Sequence, residues 1–160
     1  MSNPIQPLAA GTVAPDFTLK ATPDQEITLS DLLGKRVVLA FYPADWSSTC
    51  SDQLALYQQI MPEFEALGAQ LLGVSVDGIW CHNAFADDRN LTMPLLADFY
   101  PHGAVSELYG VFNEERGTSA RSLFVIDENG EITWSYLAPP GVNPGADGIL
   151  TALEALPKLE

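Results

Sequence analysis

Residues 37–41, Val-Val-Leu-Ala-Phe, form an unbroken apolar run, and a strand without a polar side chain has no face to give to water. Such a strand must be covered on both sides, which calls for helices packed on the two faces of a sheet. Residues 69–76 read as a second buried strand and residues 122–126 as a third apolar one. Between these runs the apolar spacing changes. From Cys50 onward Leu54, Tyr57, Ile60 or Met61, Phe64 and Leu67 recur at helical intervals, and residues 79–89 read as a second helix. Buried strands alternating with helices predict an α/β fold with a central mixed sheet flanked by helices.

The flanking segments fit that frame. Residues 1–15 carry three of the twelve prolines and read as a loosely attached arm. Residues 16–20 and 26–29 have β-type residues around Thr22-Pro23-Asp24, which predicts an N-terminal hairpin extension. Residues 30–34 suit one helical turn, opened by Ser30 and stopped by Gly34. Pro62 lacks a backbone donor and should kink or split the helix after Cys50, which Gly68 ends. Asp127-Glu128-Asn129-Gly130 predicts a turn into a half-solvated strand over residues 132–136. Residues 138–148, rich in Pro and Gly, read as loop, and Ile149, Leu150, Leu153 and Leu156 as a closing amphipathic helix. No internal repeat or second core is visible, so a single domain over residues 1–160 is expected.

Charge and cysteine usage narrow the function. A net charge of −14 disfavours polyanionic partners, so no nucleic acid and no membrane surface is expected. No run of about 18 apolar residues exists. The start Met-Ser-Asn-Pro lacks the basic opening and apolar core of a signal peptide, and the expected location is cytoplasmic. Two cysteines are too few for a disulfide framework.

One of them carries a motif. Pro43-Ala44-Asp45-Trp46-Ser47-Ser48-Thr49-Cys50 follows the first buried strand and opens the first helix. The thiolate is the nucleophilic form of cysteine, and a helix N-terminus favours it. Asp45 and Asp52 work against that charge, so a cation from elsewhere is required. Arg121, immediately before the strand 122–126, is the candidate, on the expectation that a parallel strand there places it beside the Cys50 loop. Arg89 and Arg116 sit in polar stretches and read as solvated. The Ser47 hydroxyl can donate to a substrate and accept from the thiol, and the Pro43 ring can shield the thiolate. The set suits attack on an O–O bond, leaving a sulfenic acid at Cys50.

The chain resembles the peroxiredoxins, thiol peroxidases with a three-layer thioredoxin-like fold. The resemblance rests on F-Y-P-A-D-W-S-S-T-C (41–50), G-V-S-V-D (73–77), M-P-L-L-A-D (93–98), Y-G-V (109–111) and R-S-L-F-V-I-D-E-N-G-E-I (121–132), in the family's order. Alkyl-hydroperoxidase-E-like and bacterioferritin-comigratory-protein-like subgroups are the most similar. The resemblance implies that Cys50 is the peroxidatic cysteine and that Pro43, Ser47 and Arg121 complete the site, with Gln53 orienting Arg121. It implies no cofactor and no metal. The implied partners are a peroxide substrate, a thiol reductant (thioredoxin, glutaredoxin or a low-molecular-weight thiol) and a second copy in a homodimer packed through the loops near the site. Trp46 stands where Phe is usual and Thr49 where an apolar residue is common.

Cys81 keeps two readings. It is either a resolving cysteine for Cys50 or a packing residue in a one-cysteine enzyme regenerated by an outside thiol. The second is preferred, since a disulfide needs Cα atoms within about 7 Å and reaching Cys50 would require local unfolding. His82 beside it reads as a capping or core residue, further metal ligands being absent nearby in sequence. His102 reads as an exposed loop residue. Trp46, Trp80 and Tyr42 are as readily core or rim as substrate contacts. The acidic residues read as a scattered, solvated surface. Among competing functions, a dithiol oxidoreductase lacks its C-x-x-C, and a cysteine hydrolase using His82 or His102 lacks an orienting third residue. A redox sensor relaying oxidation from Cys50 to a partner protein is the remaining alternative.

Overall fold

The computed structural model describes residues 4–158. Its first elements are a hairpin of β1 (Thr18–Thr22) and β2 (Gln25–Thr28), a 3-10 turn (Leu29–Leu32) and β3 (Arg36–Phe41). Then come α1 (Ser48–Gln59), α2 (Met61–Ala66), β4 (Ala69–Ser75), α3 (Ile79–Arg89) and β5 (Leu95–Ala97). The last part holds α4 (Ala104–Leu108), the short pair β6 (Phe112–Asn113) and β7 (Thr118–Ser119), β8 (Ser122–Ile126), β9 (Ile132–Leu137) and α5 (Asp147–Glu154).

Seven strands make one sheet in the order β2-β1-β5-β4-β3-β8-β9. β3, β4 and β5 run parallel, whereas β8 is antiparallel to β3 and β9 antiparallel to β8. The sheet is therefore mixed, as expected. The hairpin does not stand apart from it: β1 meets β5 through Lys20 and Ala97 and extends the sheet at that edge. The parallel direction expected for β8 is overturned. Its antiparallel register sets Ser122 opposite Phe41 and Ile126 opposite Val37. That direction is what serves the site, because it starts β8 where β3 ends; a parallel β8 would have started at the opposite edge.

Strand periodicity sorts the core into two layers. Val38, Ala40 and Tyr42 pack with Leu54, Tyr57, Phe64, Phe85, Ile149 and Leu153, so α1, α2, α3 and α5 cover one face. Val37, Leu39 and Phe41 pack with Leu72, Phe124, Val105, Tyr109 and Val111, so α4 and its flanks cover the other. Each fully buried large side chain contributes about 2 kcal/mol by leaving water. Pro62 sits in the first turn of α2, where its missing donor costs nothing, and the helix breaks at Ile60.

The described part of the N-terminal arm is fastened, contrary to expectation. Gln6 and Leu8 donate backbone hydrogen bonds to Gly110 and Tyr109, and Gly11 and Ala14 to Ile132 and Gly130. Gly110, at φ +76, has no room for a Cβ because the Gln6 carbonyl lies against it. Residues 1–3 of that arm lie outside the described residues.

Candidate active site

The parallel β3–β4 pairing continues one residue beyond β3, with Tyr42 donating to the Val74 carbonyl at 3.0 Å. Pro43 then turns the chain into the loop that ends at Ser47, the N-cap residue of α1. The Ser47 side chain makes no capping hydrogen bond. Cys50 is the third residue of α1 and fully buried. N–H groups in a helix's first turn have no intrahelical acceptor, so the sulfur sits at the electropositive end.

Arg121 arrives from the start of β8. Its Nη1 donates to Cys50 Sγ at 3.3 Å and to Gln53 Oε1 at 2.7 Å. Arg121 and Gln53 are both buried, so solvent screens this charge little. The sulfur thus has a cationic hydrogen-bond donor at its side. Arg121 Nε, also buried, has no acceptor among the described residues. Gln53 in turn donates through Nε2 to the Tyr57 hydroxyl at 3.0 Å, and Tyr57 donates to the Gly145 carbonyl at 2.9 Å. Burial pushes the Tyr57 phenol up to about 12, against the opposing pull of Gln53 and Arg121.

A second polar cluster holds the Pro43–Ser47 turn from beneath. Asp45 is buried; its Oδ1 accepts from the Tyr42 hydroxyl at 2.6 Å and its Oδ2 lies 2.7 Å from His82 Nδ1. His82 Nε2 donates to the Leu96 carbonyl at 3.0 Å. Asp77 Oδ2 accepts from the Asp45 amide at 2.8 Å and from the Ser75 hydroxyl. Burial, then the neighbouring Asp45, raises the Tyr42 phenol well above its ordinary range. Asp45 thus turns its carboxylate toward His82 and Tyr42.

Trp46, next in the turn, takes a left-handed φ of +71, which costs a side-chain-bearing residue about 1–2 kcal/mol. Its ring meets Phe85 edge-on at 5.1 Å, and the Arg89 guanidinium lies 5.8 Å over it. Arg89 is exposed, as expected, and also stacks on that ring.

Cys81 lies near the acidic side of this turn. Its sulfur and the carboxylates of Asp45 and Asp77 fall within 4.8 Å of one another. Burial first, then Asp45 and Asp77, push its thiol up to about 11. Two carboxylates thus approach Cys81 that linear spacing did not suggest, although both already accept hydrogen bonds. They also correct the expectation of a purely solvated acidic surface. Asp98 corrects it again: it is buried and accepts from the Val105 and Ser106 amides and the Ser106 hydroxyl, capping α4. His82 is the core residue expected, and His102 is exposed, bonded to the Gly117 carbonyl.

The structure joins Cys50, Arg121 and Gln53 directly, with Pro43 and Ser47 half-buried in the adjoining turn. Sequence reasoning missed Tyr57 as a polar partner, because helical spacing marks it only as core. It also missed Asp45 with His82, whose signal is an acid and an imidazole at the ends of successive strand–helix units. Among the described residues no helix is long and apolar enough to cross a membrane.

Known proteins share this arrangement of elements. Peroxidoxin BcpB from Mycobacterium tuberculosis superposes with a TM-score of 0.86 at 28% identity, covering 94% of this chain and 99% of that one. AhpC from Enterococcus faecalis gives 0.83 at 27%, covering 94% and 92%. The fold is the thioredoxin-like one expected. In sequence, alkyl hydroperoxide reductase E of Mycobacterium bovis is 41% identical over 135 residues, 84% of this chain and 88% of that protein. Thioredoxin peroxidase of Echinococcus granulosus is 34% identical over 155 residues, 91% and 79%. The model of the AhpC/TSA family matches residues 10–135, and with Cys50 and Arg121 in contact the chain belongs to that family, the peroxiredoxins, as a thiol-dependent peroxidase.

Proposed function

We propose that Cys50 is the peroxidatic cysteine and that Arg121, Ser47 and Pro43 form its peroxide site. The observation that carries this is the buried guanidinium 3.3 Å from Cys50 Sγ. In the first step the thiolate attacks one peroxide oxygen. The O–O bond breaks, Cys50 becomes a sulfenic acid, and the departing alkoxide or hydroxide takes a proton to leave as alcohol or water. Arg121 stabilises the charge that develops on the oxygens, and its Nε, without an acceptor among the described residues, is available to them. Ser47 offers a further donor, and Pro43 limits water near the sulfur.

The sulfenic acid is then reduced by an outside thiol: water leaves as a mixed disulfide forms, and a second thiol releases Cys50. Thioredoxin, glutaredoxin and low-molecular-weight thiols are the candidate reductants, and hydrogen peroxide and organic hydroperoxides the substrates. A thiol pushed up to about 11 attacks slowly near neutral pH, which supports the one-cysteine reading of Cys81. Relatives named as peroxidases and reductases favour turnover over a relay to a partner.

The chain over residues 1–160 acts as a single domain in this reading. Two free thiols suit the reducing cytoplasm. Trp46, Trp80, Phe99 and Tyr100 are exposed beyond the ends of β3, β4 and β5, and they support a homodimer packed through that edge; a monomer on sedimentation would remove it. The decisive experiment for the site is Cys50→Ser. Peroxide consumption should disappear, and a variant as fast as the wild type would sink the assignment.

A further inference from the structure

We propose that Tyr57 is a positioning residue for Arg121, acting through the amide of Gln53 and seated by the loop of residues 138–146. The inference rests on the reading of Cys50 and Arg121 as the peroxide site. Gln53 and Tyr57 lie one turn apart on α1, both fully buried, so they share its inward face. The Tyr57 ring is fixed by an edge-on contact with Phe64 at 6.0 Å.

The direction of the chain follows from its last member. The Gly145 carbonyl can only accept, so the Tyr57 proton points to it. The phenol oxygen is then left to accept from Gln53. Gln53 must turn its NH2 group toward Tyr57, which leaves its carbonyl oxygen for Arg121 Nη1 at 2.7 Å. With the amide reversed, NH2 would face the guanidinium and two donors would meet. One hydroxyl proton thus sets the polarity of three hydrogen bonds and keeps an acceptor on the arginine that touches Cys50. Because burial holds the phenol at about 12, that polarity persists through ordinary working pH.

The loop grips Arg121 at both of its ends. Where it starts, the Ala138 amide donates to the Arg121 carbonyl at 3.0 Å. Where it ends, Gly145, at φ +67 and bonded to Asn143 Oδ1 at 2.9 Å, presents the carbonyl that Tyr57 reads. A shift of this loop would therefore loosen the guanidinium without touching Cys50.

The test is Tyr57→Phe in the full-length chain, which keeps the ring and removes the hydroxyl. The second-order rate of Cys50 oxidation by hydrogen peroxide should fall about tenfold, the worth of one hydrogen bond felt in the barrier. Adding Gln53→Glu should restore most of the loss, because a carboxylate presents an oxygen to Arg121 whichever way it turns. A purely structural role would not be rescued this way. A Tyr57→Phe rate equal to the wild type, or no rescue by Gln53→Glu, overturns the proposal. A separate readout needs no activity: in the 15N-labelled wild type the Gln53 side-chain amide protons should exchange slowly with water. Exchange at the rate of a free glutamine would overturn it too. Absence of Cys50 oxidation in the wild type would instead overturn the peroxide-site reading, and the amide exchange would still decide the Tyr57 chain.

Discussion

Cys50 and Cys81 occupy equivalent places and face opposite charges. Each is the third residue of a helix, and each helix follows a parallel strand of the same sheet, β3 for Cys50 and β4 for Cys81. Whatever a helix N-terminus gives a thiol, both receive. Their neighbours differ: Cys50 meets the Arg121 guanidinium, whereas Cys81 lies among the carboxylates of Asp45 and Asp77. Under the proposed roles, position at a helix start therefore does not separate the peroxidatic thiol from the other one. The ion at its side does.

The strongest attempt to break this contrast removes the cation. Arg121→Ala should slow Cys50 oxidation at least about 100-fold, the usual cost of losing a donor to developing oxyanion charge. Cys81→Ser should leave that first step unchanged, both read by stopped-flow with peroxide in excess. Equal losses in the two variants would mean that the thiols are not in opposite roles.

A smaller effect is expected on the acidic side. His82→Ala strips the buried Asp45 carboxylate of a partner, and denaturant unfolding should show a loss of about 3 kcal/mol. A loss within error of zero would show that Asp45 is not held by this pair.

The mildest test concerns Cys81 itself, in a Cys50→Ser background. Alkylation should be slow near neutral pH and climb only as pH approaches about 11, above the ordinary value of 9.0. The unfolded thiol ionises first, so the folded state binds the extra proton through this window. Stability contributed by Cys81 is then present below pH 9.0 and lost as pH rises to about 11. Comparison with a variant that also carries Cys81→Ser isolates that slope, and rapid labelling at neutral pH would contradict the whole picture.

The alternation of strands and helices was legible through the middle of the chain because each element there is long enough to show its period. β5 has three residues, and α4 five, held by the Asp98 cap rather than by an apolar stripe. β6 and β7 have two each, below any readable period. In the site, Cys50, Gln53 and Arg121 could be named because residue type and local order announce them. Tyr57 to Gly145 and Asp45 to His82 join residues 88 and 37 positions apart. Such contacts exist only once strand direction is known, and for β8 the direction expected was the wrong one.

That antiparallel strand has a consequence in time. Cys50 and Arg121 are 71 residues apart and meet only through the pairing of β3 with β8. Contacts across such a separation form slowly, since the intervening loop must close first. A nascent chain still lacking β8 would carry the thiol without its guanidinium. Peroxide reactivity should therefore emerge late in refolding, as a signal that the centre of the sheet has closed.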